Sequence, residues 1–410
     1  MSQALTGSRT AYDVDVAVIG AGAAGLSLVH ALVREPEARH LRVVLVSPAP
    51  SAPGAAPERT WCWWEHPQGS LDAAVQHGWD RLAIYGRDGG RADFPLGGLR
   101  YKMLRSSAMD ALVTEEIRSL PAYRRVDGSV VAVQDGAASA EVSLRTAGGA
   151  AALRARWVFD SRPRASLPPA RTTLLQHFRG WFVRCSVPVF DPSAAVLMDF
   201  RVAQPARGTA FGYVLPLTPR NALVEYTQFS RTPLDRAQYE AALEHYTSTV
   251  LDLGSLRAGS FEIVGVEEGV IPMTDAHFPR RVGRRVFRIG TSGGATRPST
   301  GYTFAAVQHQ SRAVARALAR GAVPVPPRSH RPRHLAMDAA LLRALDTGRI
   351  DGADFFDRLF RRNPPERLLR FLDGRSGLRD ELAVGLTSPV VPMALSCLEL
   401  PFRRRTAVGE

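Results

Sequence analysis

The 410 residues predict an α/β fold (α+β overall) in which a doubly wound nucleotide-binding unit stands beside an antiparallel sheet and carries a C-terminal helical cap. Three observations predict it. A β-branched apolar run opens directly into a glycine-punctuated turn and an apolar helical run near the start of the chain. Strand-like segments crowd residues 176–275, and beyond a proline-rich break the chain turns to short amphipathic helical stretches. A chain this long exceeds one small core. These changes of pattern divide it into residues 12–175 with 276–325, residues 176–275, and residues 326–402.

The first unit begins with "YDVDVAVIGAGAAGLSLVHALV", an apolar strand from Val14 to Ile19 followed by a helix after Gly22. Gly20, Gly22 and Gly25 fill the G-x-G-x-x-G pattern. The first makes the tight turn, the second admits a pyrophosphate, and the third lets helix pack on strand, which is the Rossmann-like arrangement. The helix N-terminus then faces the phosphates. A second strand, "LRVVLVSPAP", ends at Ser47, where an acidic residue commonly holds the ribose hydroxyls. Ser47 can make one hydrogen bond there, or Glu58 can substitute, and the sequence leaves both open.

Within the second unit, "LPLTPRNALVEYTQFSRTPL" (215–234) reads as a turn and a strand. Alternation puts Leu223, Glu225, Thr227 and Phe229 on one face and Val224, Tyr226 and Gln228 on the other. Glu225 is then either a surface glutamate with apolar flankers or an acid kept in an apolar chamber, where desolvation favours its neutral form. Late in the chain, "GTSGGATRPSTG" sets four glycines and a proline between an apolar strand and an apolar helix, allowing backbone amides close to a ligand ring.

Several stretches together resemble the flavoprotein lycopene cyclases, the bacterial enzymes that close β-ionone rings on a linear polyene. They are "ERTWCWWE" (58–65), "VFDSRP" (158–163), "LLQHFRGWFV" (174–183), "LMDFRV" leading to "FGYVLPLTPRNALVEYTQFS" (197–230), and "RIGTSGGATRPSTGYTFAAV" (288–307). The resemblance implies a Rossmann-like FAD-binding domain, a substrate domain built on the antiparallel sheet, and redox-neutral closure of rings on lycopene or a related acyclic carotene to γ-carotene, β-carotene or both. It implies that FAD is the cofactor, active when reduced, with NADPH or NADH as reductant. Glu225 becomes the expected acid or base, since the family places an acidic residue in the matching L-V/I-E-x-T segment. Cofactor contacts are expected from Gly20, Gly22, Gly25, Ser47, Arg105, Asp160, Gly290, Gly293, Gly294, Pro298 and Gly301, and substrate contacts from Trp61, Trp181, Phe211, Tyr213 and Tyr302. Aromatic faces can stabilise a carbocation without reacting with it, though such residues often belong to a core. Glu65, His66, Asp199 and Glu268 are weaker candidates for proton transfer. Thr291 stands where many flavoproteins carry Asp after the equivalent of Gly290, which argues against a generic hydroxylase. A flavin-dependent monooxygenase or reductase acting on another apolar isoprenoid is the alternative, because one fold hosts both chemistries.

Charge and cysteine usage bound the partners. The net charge of +13 is carried almost wholly by arginine, Lys102 being the only lysine, and residues 276–337 contain no Asp or Glu. Such a stretch makes a positive field suited to cofactor phosphates or anionic lipid headgroups. No nucleic-acid-binding motif accompanies it. Cys62, Cys185 and Cys397 have neither paired nor metal-ligand spacing, so a reducing cytoplasm and no metal are expected. "FFDRLFRRNPPERLLRFL" has the composition of an interfacial element or of core-facing helices. "LAVGLTSPVVPMALSCL" (382–398) is uncharged but interrupted by Pro389 and Pro392, a poor spanning helix that could line a substrate entrance. A lipid-soluble substrate implies a peripheral enzyme on the inner face of the cytoplasmic membrane.

Overall fold

The computed structural model describes residues 12–49, 57–253 and 261–407. The chain opens with β1 (Val14–Ile19), α1 (Ala23–Arg34) and β2 (Val43–Ser47), then β3 (Thr60–Glu65), β4 (His77–Trp79), β5 (Arg81–Tyr85), β6 (Arg91–Pro95) and β7 (Arg100–Arg105). Helix α2 (Ser106–Arg118) leads to β8 (Tyr123–Asp127), β9 (Ser129–Gln134), β10 (Ala140–Thr146) and β11 (Gly149–Asp160). The next stretch holds β12 (Thr173–Cys185), β13 (Ala194–Asp199), β14 (Thr209–Pro216), β15 (Asn221–Ser230), α3 (Arg236–His245) and β16 (Phe261–Thr274). After β17 (Val286–Arg288) and α4 (Phe304–Ala319), the rest is helical: α5 (Pro332–Thr347), α6 (Gly352–Arg362), α7 (Pro365–Leu372), α8 (Leu378–Thr387) and α9 (Val390–Glu399).

The first sheet runs β8-β2-β1-β11-β10-β9, with β17 also paired to β11. Its strands β8, β2, β1, β11 and β17 are parallel. Being covered on both faces, β1 from Val16 onward and β2 up to Val46 read as continuous apolar runs rather than alternating ones. Helix α1 is buried almost throughout because it lies between this sheet and α4.

The second sheet runs β16-β12-β15-β14-β13-β5-β6. It departs from expectation in two ways. Residues 81–95, assigned from sequence to the nucleotide-binding unit, add two strands to its far edge, and β5 joins β13 in parallel rather than antiparallel fashion. The reason is burial: Leu82, Ala83 and Ile84 on β5 need a partner surface, and the exposed flank of β13 supplies it. A small third sheet, β3-β7-β4, connects the two units.

The cap is also packed more deeply than its composition suggests. Phe355, Phe356, Leu359 and Phe360 of α6 and Leu368, Leu369 and Leu372 of α7 join the core of the second sheet. Phe356 meets Phe229 edge-on at a ring separation of 6.2 Å. Of the two readings the sequence allows for this stretch, interfacial element or core-facing helices, the core-facing one holds for these residues, whose apolar side chains are consumed by the core. Exposed apolar side chains recur instead on α8, α9 and the turn after α9, where Leu378, Leu382 and Leu386, then Val391, Leu395, Leu398 and Phe402, follow helical spacing on open faces. Among the described residues no single helix is long and apolar enough to cross a membrane; α8 and the segment Val390–Phe402 are bent by 114° at the break between them.

Candidate active site

A cavity of about 590 Å³ runs from the glycine turn after β1 to the inner face of the second sheet. The turn end is shaped for a dinucleotide. Gly20 has φ +94°, and a Cβ on Gly25 would collide with the Gly20 carbonyl, so helix and strand approach as closely as the fingerprint requires. Nothing lies within 4 Å of where a Cβ on Gly22 would point. Gly22 is also the N-cap of α1, with no side-chain cap and no acidic residue in the first turn, so the helix leaves its terminal amides and positive dipole end free for an anion.

The late glycine loop adds Gly290, Thr291, Ser292 and the run Ser299–Thr303 to the cavity lining, with Gly290 packed close against Ala24 of α1. Gly290, Gly294 and Gly301 all take positive φ, which side-chain-bearing residues rarely adopt. Gln176 Oε1 is buried beside Gly301 without a protein partner. An unpartnered acceptor of this kind is costly unless a ligand N–H meets it. The glycine cradle, the uncapped helix and Gln176 together fit a flavin dinucleotide.

Among the other residues expected at the cofactor, Asp160, Ser47 and Arg105 are engaged with protein partners. Asp160, at the end of β11, is enclosed by Arg162 and Arg288 and fixes the strand end. Gly293 and Pro298 are buried in the loop. Ser47 Oγ accepts from Arg125 at 3.1 Å. Glu58 is tied to Arg105 and Ser107. Arg105, besides holding Glu58 at 2.6 Å, donates to Thr60 and Glu267 and stacks over Phe182.

The sheet end is set by strand parity. Leu223, Glu225, Thr227 and Phe229 all line the cavity, on the face that alternation assigns them. On β12 the same rule points Gln176 and Phe178 inward, with Gly180 next in line. Trp181 is the correction: it falls on the opposite face, packed with Val183, Val214, Val224 and Tyr226 under α3, and does not touch the cavity. Trp61, Phe211, Tyr213 and Tyr302 do line it, with Trp61 stacked on Phe304 at 5.6 Å.

Glu225 is buried and accepts one hydrogen bond, from Thr227 Oγ1 at 2.7 Å. Burial pushes its carboxyl up to about 8; the Thr227 bond opposes this and the nearby Glu267 charge adds to it. The thiol and phenols near it are neutral as well. Burial pushes Cys62 up to about 12 and holds Tyr101 and Tyr213, whose hydroxyls lie 2.8 Å apart, well above the ordinary phenol range.

The weaker candidates lie elsewhere. Asp199 faces away and is held by Arg201 at 2.5 Å and the Tyr246 hydroxyl at 2.9 Å. Glu65 pairs with Lys102, which also takes the His66 carbonyl. Glu268 is 65% exposed and bonded to Arg179. Its neighbour Glu267 is the buried, cavity-facing carboxylate of β16, and sequence reasoning missed it by one residue. The signal was parity: Glu267, Gly269 and Ile271 alternate with the exposed Val266, Glu268 and Val270.

A doubly wound nucleotide-binding unit whose cavity ends on a seven-stranded sheet is a fold that this chain shares with reductase-like, dehydrogenase and monooxygenase structures. Similar solved structures include a geranylgeranyl bacteriochlorophyll reductase-like protein from Thermoplasma acidophilum (TM-score 0.61, 11% identity, covering 93% of this chain and 98% of that one). A flavoprotein/dehydrogenase from Cytophaga hutchinsonii gives TM-score 0.59 at 14% identity, covering 95% and 99% of the respective chains. The p-nitrophenol 4-monooxygenase of Pseudomonas putida gives 0.57 at 15% identity, covering 94% and 97%. None of the curated proteins compared with the sequence matches it. Within this fold the chain belongs to the lycopene cyclase family, whose model, described as "Lycopene cyclase protein", matches residues 15–398.

Proposed function

We propose that the protein is a lycopene β-cyclase dependent on reduced FAD, closing one or both ends of lycopene or a related acyclic carotene. The observation that carries this reading is Glu225, a buried carboxyl kept neutral at an apolar, aromatic cavity wall opposite a dinucleotide cradle. Ring closure needs a proton placed on the terminal double bond, a surface that tolerates the resulting tertiary cation, and exclusion of water. Glu225 in its neutral form donates the proton. Phe211, Tyr213 and Trp61 offer ring faces to the cation, and Leu223, Phe229 and Phe356 keep the chamber dry. Gly22, the α1 N-terminus, Gly290, Ser292 and Gln176 would hold the flavin, with its phosphates at the helix end. A reduced flavin bound there would supply negative charge that stabilises the cation, and NADPH or NADH would maintain that state.

The test is anaerobic incubation of the purified protein with lycopene in liposomes and chemically reduced FAD, followed by chromatography and mass determination. A cyclase gives a one-ringed or two-ringed pigment of unchanged mass. Consumption of oxygen and nicotinamide in step with an oxidised or saturated product would instead support the monooxygenase or reductase reading.

We also propose that the protein works as a peripheral enzyme on an anionic membrane surface. The apolar stripes of α8 and α9 stay exposed while Arg379 on α8 and Arg404, just beyond α9, stand exposed near them in the chain, the pairing of an interfacial helix with anionic headgroups. Replacing Leu382, Leu386, Leu395 and Leu398 together by Ser is expected to lower binding to phosphatidylglycerol vesicles at least tenfold in flotation assays, with unchanged thermal stability. Equal flotation of the quadruple variant and the parent would overturn this docking surface.

A further inference from the structure

Four consecutive strands of the second sheet, β16-β12-β15-β14, counted from its β16 edge, carry a row of residues on the cavity face. Gly180 of β12 is paired with Glu225 on one side and with Glu267 on the other, and Glu225 is paired in turn with Tyr213. Two carboxyl groups therefore stand on alternate strands, about 10 Å apart at the backbone, separated by a residue with no side chain. Space there is tight: a Cβ on Gly180 would come within 2.9 Å of Leu223 Cδ1 and 3.2 Å of Glu225 Cβ, so those side chains would have to shift to admit one.

The two carboxyls have opposite surroundings. Glu225 has an apolar wall and a single hydroxyl donor. Glu267 accepts from the Thr60 N–H at 2.6 Å, from Thr60 Oγ1 at 2.5 Å and from the Arg105 guanidinium at 3.3 Å. Every partner of Glu267 is a donor, so both of its oxygens serve as acceptors. Two carboxyls in one chamber with contrasting environments is the arrangement by which acid and base roles are divided.

We propose that Glu267 is the proton acceptor of the reaction, taking the proton that leaves the newly closed ring while Glu225 supplies the one that starts it. This rests on the cyclase reading above. In the balanced step, the Glu225 proton bonds to the terminal alkene carbon, and the resulting cation is attacked by an internal double bond, forming the ring C–C bond. A ring C–H bond then breaks, its electron pair becomes the ring double bond, and the proton passes to a Glu267 oxygen. No electron is gained or lost. A carboxylate held by arginine is a weak base, but a tertiary carbocation is so strong an acid that position, rather than base strength, decides which proton leaves. Fixed by Thr60 and Arg105, Glu267 thereby also determines where the ring double bond falls.

The experiment runs parent, Glu225→Gln, Glu267→Gln and Glu267→Asp in D₂O with lycopene and reduced FAD, reading pigments and their deuterium content by mass. Retained flavin and an unchanged melting temperature first establish that each variant is folded. The parent is expected to give β-ringed product carrying solvent deuterium, and Glu225→Gln to put deuterium into nothing. Glu267→Gln is expected to lose β-ring formation on the order of 10²–10⁴-fold, yet still place deuterium in recovered substrate or in ring isomers and hydrated products, because protonation proceeds and removal fails. Glu267→Asp is expected to restore part of the β-ringed product. Unchanged product from Glu267→Gln, or loss of all deuterium uptake in that folded variant, overturns the assignment. A parent that leaves lycopene unconverted and unlabelled overturns the cyclase reading, and this inference with it.

Discussion

Replacing Glu225 by Gln is expected to abolish ring closure, with a loss on the order of 10³-fold or more, while flavin binding and fold survive. Gln has the same shape and can keep the Thr227 contact at the same position, so packing changes little. What it cannot do is release a proton, and general acid catalysis contributes roughly 10²–10⁴-fold on its own. Because the carboxyl titrates near 8, the parent's activity should be level at lower pH and fall as pH rises through about 8. Stability carries a matching signature. The folded state holds the proton up to about 8, whereas in the unfolded chain the carboxyl ionises at the ordinary glutamate value of 4.5. Between those values the folded state binds more protons, so stability is full below 4.5 and declines as pH rises towards 8. At pH 7 the decline amounts to about 3 kcal/mol as an upper bound, and Gln at this position removes it. Urea midpoints at pH 5 and pH 7.5 should therefore converge between parent and variant at the lower pH and separate at the higher, the variant being more stable. Substantial turnover by Glu225→Gln, or parallel pH profiles of stability, would sink the assignment.

Arg297→Ala is expected to be the most damaging change away from the chemistry, costing about 3–5 kcal/mol. Arg297 and Asp338 are both almost wholly buried, 1% and 3% exposed at the side chain, and meet at 3.2 Å. The same guanidinium donates to the Phe371 carbonyl and stacks over the Phe371 ring at 4.9 Å, while Ser299 donates to Asp338 at 2.7 Å. One side chain thus ties the glycine loop of the cofactor wall to α5 and α7. Truncating it strands a carboxylate in the interior. The double variant Arg297→Ala/Asp338→Ala should recover part of the loss, because no charge is then left unpaired. Thermal melts with and without added FAD read both effects. A single variant within 1 kcal/mol of the parent would show that the pair contributes little.

Much of the site could be read from the sequence because strands obey parity. The face shared by Leu223, Glu225, Thr227 and Phe229 follows from alternation alone, and the glycine turn follows from steric needs that few other residues meet. The failures have equally local causes. Trp181 lies one residue from the cavity-facing Gly180, and in a strand buried on both faces composition does not say which side a tryptophan takes. Glu267 and Glu268 are adjacent, and only the pairing of β16 with β12 tells which is enclosed. Amphipathic stripes such as Phe355–Phe360 look alike whether they meet lipid or core, since the pattern records that a face is apolar and not what covers it. The pairing of residues 81–95 depends on a strand far along the chain, beyond the reach of local pattern.

That last pairing governs how the molecule comes into being. β5 and β6 leave the ribosome well before β13, the strand on which they dock, with Arg81 aligned to Ala194. Until then the hairpin is an apolar, unpaired edge on a growing chain, and the nucleotide-binding unit cannot close as an autonomous body because its own sequence is threaded out to the neighbouring sheet and back. Long-range pairing of this kind slows folding and leaves partly folded forms open to aggregation. Fragments cut at either sheet should fail to fold, exchange of the substrate sheet between relatives should succeed only when residues 81–95 travel with it, and recombinant yield should rise with slower synthesis at low temperature.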